Sequence, residues 1–268
     1  MPKTILLLLT YSSMIFTGCE IETDKKAGTG GIVIQAFDAP FEGNVEHIYL
    51  NVIEVSVHKS GSGSDSDTSS PWIILSDADT TIDFLELVNG QMATLIQTEL
   101  EVGQYSQLRI LLGDSSNIVV DSIAYELKVP SGSQTGIKLN LNFSIEPDEI
   151  IEIYLDFDAA RSISKHPTQD RYTMRPTFRV FKSVLSGTIS GTISDTFGIG
   201  IGNISVYSVT GSDSLATLSS ESGEYKFILL SGTYTISASG YNLTADTTFQ
   251  AIVLNIGDEL VGYDFIME

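Results

Sequence analysis

From Ile137 to Ile145 the chain reads Ile137-Lys138-Leu139-Asn140-Leu141-Asn142-Phe143-Ser144-Ile145, apolar at every odd position and polar at every even one. Side chains of an extended chain point alternately to two faces, so this period puts one face in a core and the other in water. Ile151, Ile153, Leu155 and Phe157 form a second inward row, with Glu152, Tyr154, Asp156 and Asp158 on the opposite face. Between Ile48 and Val57 the apolar phase runs through 48, 50 and 52, then 53, 55 and 57. A one-residue shift of phase inside a strand predicts a β-bulge at Val52 and Ile53. Similar short stretches, bounded by Gly, Asp, Asn and Ser, continue from Gly31 to the end, as in all-β sandwiches. The one helical expectation is Thr81 to Asn89, with Asp79 or Thr80 as N-cap and Gly90 as the stop, an extended reading being the alternative.

The same pattern divides the chain. An apolar run, Ile5 to Leu9, follows Lys3 and leads to Phe16-Thr17-Gly18-Cys19. The run falls short of the ~20 residues that cross a bilayer, and Tyr11-Ser12-Ser13 interrupts it. Residues 1–18 therefore read as a lipoprotein signal peptide, removed so that Cys19 becomes the lipid attachment point, with 19–30 as a flexible polar tether. Near Lys182 to Ser186 the charge thins and the chain becomes rich in Gly, Ser and Thr. Two β-sandwich domains in tandem are expected, 31–181 and 185–268. They share an echo, Leu100-Glu101-Val102-Gly103-Gln104-Tyr105 beside Leu229-Leu230-Ser231-Gly232-Thr233-Tyr234, in which a glycine turn admits a strand whose tyrosine packs at its start.

Charge narrows the partners. The formal net charge is −20, which repels nucleic acid phosphates and anionic lipid surfaces and leaves calcium, cationic partners and neutral sugars open. Cys19 is the only cysteine, so no intramolecular disulfide forms and the cores hold by burial.

Residues 29 to 181 resemble the lipoprotein domain of unknown function 4382. The resemblance rests on Phe37-Asp38-Ala39-Pro40, Gly103-Gln104-Tyr105-Ser106-Gln107-Leu108-Arg109, Val129-Pro130-Ser131-Gly132, Leu155-Asp156-Phe157-Asp158-Ala159-Ala160-Arg161-Ser162 and Arg175-Pro176. That family has no assigned activity. The C-terminal part resembles the carboxypeptidase regulatory-like domain through Gly187-Thr188-Ile189, Gly202-Asn203-Ile204-Ser205-Val206, Ser222-Gly223-Glu224-Tyr225, Gly232-Thr233-Tyr234 and Tyr263-Asp264-Phe265. This second resemblance implies a transthyretin-like, carbohydrate-binding-like sandwich without catalytic residues of its own.

Few residues point to chemistry. His47, His58 and His166 have no metal-pair spacing, and no Gly-x-Ser-x-Gly elbow occurs. Ser60 to Ser70 has no apolar residue and reads as a solvated hairpin loop; Asp65 and Asp67 lack the glycine and glutamate of a calcium loop. Asp156 and Asp158, with Glu152 and the Asp38 turn, are the calcium candidates. Alternate strand residues lie ~6.6 Å apart, so they need a bend or further ligands to converge on one ion. An acidic solvent face, or carboxylates capping Arg109, Arg161, Arg175 or Arg179, is the favoured reading, and a hydrolase using Asp156 and Asp158 the least favoured. Asp38 is expected to cap its own turn. Trp72 reads as a core residue at a strand start and Tyr154 as the surface aromatic.

The expected protein is thus non-catalytic, lipid-anchored in a Gram-negative envelope and a carbohydrate-binding module, with a structural or adhesive spacer contacting envelope proteins as the alternative. The acidic stretch Glu20 to Asp24 favours the outer membrane. Replacing Cys19 by serine is expected to move the protein from the detergent phase to the aqueous phase in a phase-partition assay; unchanged partitioning would remove the anchor.

Overall fold

The computed structural model describes residues 28–38, 44–60, 72–130, 135–240 and 243–267, with only the backbone for Asp38, Gly240 and residues 243–247. The first unit holds β1 (Thr29–Asp38), β2 (Val45–Lys59), β3 (Trp72–Ser76), β4 (Thr80–Asp83), β5 (Ala93–Glu101), β6 (Gly103–Leu112), β7 (Asn117–Val120), β8 (Ile123–Lys128), β9 (Ile137–Ile145), β10 (Ile150–Phe157), β11 (Ile163–Lys165), β12 (Tyr172–Met174) and β13 (Phe178–Lys182). The second holds β14 (Ser186–Asp195), β15 (Ser205–Thr210), β16 (Asp213–Leu218), β17 (Glu224–Leu230), β18 (Gly232–Gly240), β19 (Leu243–Leu254), β20 (Glu259–Leu260) and β21 (Phe265–Met267). The fold is all-β and sandwich-type.

A four-stranded sheet, β13-β10-β1-β5, and a nine-stranded sheet running from β11 to β9 share one core in the first unit. β1 lies inside its sheet, parallel to β10 from Gly31↔Ile150 to Asp38↔Phe157 and antiparallel to β5 on its other side. Ile32, Ile34 and Ala36 of β1 are fully buried against Ile153, Leu155 and Phe157 of β10. The inward row expected for β10 is therefore the core face.

β2 is the spine of the larger sheet. Its first half pairs with β7 and β4, its second with β6 and β3. The register against β6 shifts between Val52 and Glu54, at the phase change in the sequence. A bulge there bends the strand and lets each half keep its own apolar set inward: Ile48, Leu50 and Val52, then Val55 and Val57.

The helix expected over Thr81 to Asn89 does not form. Thr80, Thr81 and Ile82 continue as strand along β2, since β-branched residues suit a ladder that β2 already offers. The chain then makes a single 3-10 turn, Phe84–Glu86, capped by Asp83 rather than by Asp79 or Thr80. Phe84 is anchored in the core, edge-on to Phe157 at 5.1 Å.

The second unit is an eight-stranded arrangement around a separate cluster of Ile189, Ile193, Val206, Tyr225, Ile236 and Phe265, among others. The sequence echo becomes a shared device. Tyr105 donates its hydroxyl to the carbonyl of Glu101 at 2.8 Å, and Tyr234 donates to the carbonyl of Leu230 at 2.7 Å. Each ring folds back four residues over a glycine, a tyrosine corner of the kind found in other sandwiches. A β-carbon at Gly232 would lie 3.2 Å from the Tyr234 ring, a tight approach that glycine avoids. Burial, reinforced by Glu101, pushes the Tyr105 phenol up to about 12, so it stays a neutral donor.

Tyr105→Phe and Tyr234→Phe are each expected to cost about 1 kcal/mol in denaturant unfolding, because each leaves a carbonyl unpaired at a strand turn. The two losses should add, the residues lying in separate cores.

Candidate functional site

The outer face of the four-stranded sheet is built by register. Asp156 of β10 lies opposite Arg179 of β13, and Tyr154 opposite Phe181, while Phe37 of β1 is the neighbour of Asp156 on the other side. Cross-strand partners on one face stand close enough to interact directly. Asp156 Oδ2 accepts from Arg179 Nη2, and Phe37, Tyr154 and Phe181 form a three-ring, edge-to-face cluster with centroids 5.8 to 6.3 Å apart.

This face was expected to be wet, and it is not. Asp156 is 3% exposed. The second unit lies over it: Leu215, Thr217 and Ile228 approach from β16 and β17, and Ile228 packs against the first core. Asn89 extends the contact, donating its backbone N–H to Thr217 Oγ1 at 3.1 Å and its side-chain amide to the carbonyl of Glu224 at 3.0 Å. Gly90, at φ +77°, turns the chain there; a β-carbon on it would press on Lys226 at 3.2 Å. Alternation within β10 gave the correct face for Asp156 but carried no sign that another unit covers it.

Between the units the surfaces leave two cavities, both bordered by Asp156. One, of about 30 Å³, lies beside Asn89 and Phe37. The other, of about 140 Å³, lies between Arg179 and Phe181 on one side and Ser208, Asp213 and Leu215 on the other. Asn89 borders the first and Ser208 the second, and each residue holds a sealed side-chain oxygen, Asn89 Oδ1 and Ser208 Oγ, without a hydrogen-bond partner among the described residues.

Burial pushes the Asp156 carboxyl up to about 6; Arg179 opposes this and Asp158 adds to it. The other candidate carboxylates are engaged elsewhere. Asp158 lies past the end of β10 and caps the helical turn Ala159–Ser162, accepting from the Arg161 N–H at 2.9 Å, with the Arg161 guanidinium 3.5 Å away. Asp156 and Asp158 thus serve separate cations, and among the described residues no group of three or more His, Cys, Asp or Glu is placed to hold a metal ion. The capping reading of these carboxylates is the one the geometry supports. The side chain of Asp38, the loop 61–71 and Cys19 lie outside the described residues.

The remaining candidates scatter. His47 Nδ1 meets Asp83 Oδ2 at 2.5 Å, His58 Nδ1 meets Ser106 Oγ at 3.2 Å, and His166 accepts from the Thr168 N–H. Tyr154 is half-buried rather than a surface platform, because Phe37 and Phe181 pack edge-on against its ring. Trp72, expected in the core, is also half-buried: it lies on the larger sheet with the Arg109 guanidinium 4.4 Å from its ring. Ser208 and Asn89 were not singled out from the sequence. No pattern marks a serine whose importance is the space beside it.

Residues 29–176 match the family described as Domain of unknown function (DUF4382). The chain belongs to the DUF4382 family. That match spans more than half of the sequence and ends close to β13. No curated protein matches the chain significantly. Among solved structures, the Bacillus anthracis TIE protein is similar at 14% identity and TM-score 0.29, with 90% of this chain and 34% of that one covered. The chain thus spans about a third of that protein's length. A Streptococcal ancillary pilin aligns at 9% identity and TM-score 0.26, covering 88% of this chain and 68% of the pilin. The shaft pilin SpaA from Lactobacillus rhamnosus GG aligns at 9% identity and TM-score 0.24, covering 90% and 97%. No catalytic family is indicated for this DUF4382 protein.

Since folded Asp156 holds its proton up to about pH 6, against 3.8 for the free residue, its contribution to stability is full below about pH 4 and is lost as pH rises through 6. Asp156→Asn should flatten that slope: the difference in Tm between about pH 4 and about pH 7 is expected to shrink against the parent, read by calorimetry.

Proposed function

We propose that this DUF4382 protein is a non-catalytic lipoprotein of the bacterial envelope that binds a carbohydrate between its two units. The cavity of about 140 Å³ carries the reading, because it joins hydrogen-bonding side chains to apolar walls in the way small polar ligands are held. The C-terminal unit is taken as a carboxypeptidase regulatory-like domain, on the motifs from Gly187 to Phe265 and the eight-stranded sheet they form. Cys19 supplies the lipid, and the acidic tether after it favours the outer membrane.

An adhesive or structural role has its own support. Phe197 is 88% exposed, Ile199 66% and Val261 74%, all between strands of the second unit. Exposed apolar side chains of this size are the usual raw material of protein contacts.

A soluble form beginning after Cys19, applied to a glycan array, is expected to retain a defined set of neutral oligosaccharides. A silent array, with an envelope protein co-purifying with the full-length chain instead, would replace the first reading by the second.

A further inference from the structure

The acidity of the chain is reversed at one edge of the larger sheet. Between Arg161 and Arg175 stand four of the 14 lysines and arginines and a single acid, Asp170, in a chain of 34 acids and net charge −20. The segment folds back on itself as the β11–β12 hairpin, at the end of the sheet remote from β9. Ile163, Tyr172 and Met174 join the core. Alternation then turns Ser164, Thr173 and Arg175 outward together, with Ser164 opposite Thr173 and the Arg175 N–H donating to the carbonyl of Ser162 at 2.8 Å.

This outward face borders an open groove of about 460 Å³, whose lining includes Arg161, Ser164, Lys165, His166, Thr173 and Arg175. Three of the four arginines expected to meet carboxylates do so: Arg109 with Glu54, Arg161 with Asp158 and Arg179 with Asp156. Arg175 does not. It is exposed and has no ion-pair partner among the described residues. Arg161 is also more than half exposed, and its guanidinium carries more N–H groups than the 3.5 Å contact of Nε with Asp158 uses. Lys165, 3.9 Å from Asp170, adds positive charge at the rim.

We infer that this groove is a binding site for a small anion that carries a phosphate or sulfate group on a polar body, held between Arg175 and Arg161. Planar guanidinium forks match the oxygens of such a group, and the hydroxyls of Ser164 and Thr173 stand on the same face. Charges are screened beyond ~8 Å at physiological salt, so a ligand inside the groove meets the local cations and not the distant acids. A long polyanion would extend over those acids, which rules out nucleic acid and favours a ligand with one charged group. Ile163 is buried, which leaves Pro167 as the one exposed apolar side chain of the lining. The body of the ligand is therefore polar, as in a phosphorylated or sulfated sugar, and not an acyl chain. The groove is separate from the cavity between the units and does not rest on the reading proposed for it.

The probes are inorganic phosphate, inorganic sulfate, glucose 6-phosphate, glucose and dihexanoyl phosphatidic acid, titrated at matched ionic strength into the two-unit protein and followed by amide NMR. The two ions and the sugar phosphate should give saturable shifts centred on residues 161–175, and glucose none there. The phosphatidic acid should bind no more tightly than inorganic phosphate. Arg175→Gln, at an exposed position with no ion pair to lose, should leave Tm unchanged and weaken phosphate binding by about tenfold. Lys138→Gln, which removes the same charge from β9 at the opposite edge of the sheet, should leave binding unchanged. Phosphate binding that survives Arg175→Gln, or that falls equally in Lys138→Gln, overturns the site, as does a protein that takes up none of the phosphate or sulfate probes. Tighter binding of the phosphatidic acid overturns the polar ligand.

Discussion

A carboxylate withdrawn from water needs a partner, and the meeting of the two units depends on how Asp156 finds one. The register of β10 against β13 sets Arg179 directly across from it. Removing Arg179 would leave the buried carboxylate alone, which costs more than the pair contributes. Arg179 is partly in water at 41% exposure of its side chain while Asp156 is at 4%. The carboxylate therefore carries most of the desolvation, and its raised proton affinity follows from that asymmetry. Both members belong to the first unit, so the pair shapes the face that the second unit covers.

Around the pair, strength comes from apolar contact. Phe37, Tyr154 and Phe181 present a ring cluster on the same face, and Ile228 enters from the other unit. The polar contacts of Asn89 then fix where β16 and β17 come to rest. This combination leaves gaps, because two sheet faces with mixed polar and apolar surface do not interdigitate as two purely apolar faces do. Asn89 and Ser208, whose side-chain oxygens have no partner among the described residues, border those gaps.

How far the sequence carried this picture varies by element. Local devices were legible: the bulge at Val52 and Ile53 from a shift of phase, the alternating strands, the two tyrosine corners from a repeated Gly-x-Tyr. Thr80 to Asp83 misled because the spacing admitted a helix, and only the pairing offered by β2 decided for strand. Tyr154 and Asp156 misled for a different reason. Period two identifies which residues share a face, but whether that face meets solvent depends on β16 and β17, in a unit that begins only at Ser186. Pairing between β1 and β10, residues 31 and 150, was likewise beyond any local pattern.

The position of β1 has a mechanical side. It is the first strand of the described chain and is hydrogen-bonded on both flanks, parallel to β10 and antiparallel to β5. A pull along the axis of β1 runs at right angles to its hydrogen bonds with β5 and at a slant to those with β10. Both ladders are then loaded together in shear, rather than opened one bond at a time as at a frayed edge. Resistance to such a pull is governed by the unfolding rate, not by equilibrium stability. A fold hung from its N-terminus is thus held by one of its most enclosed strands, and the central place of β1 is as much a matter of tensile strength as of core packing.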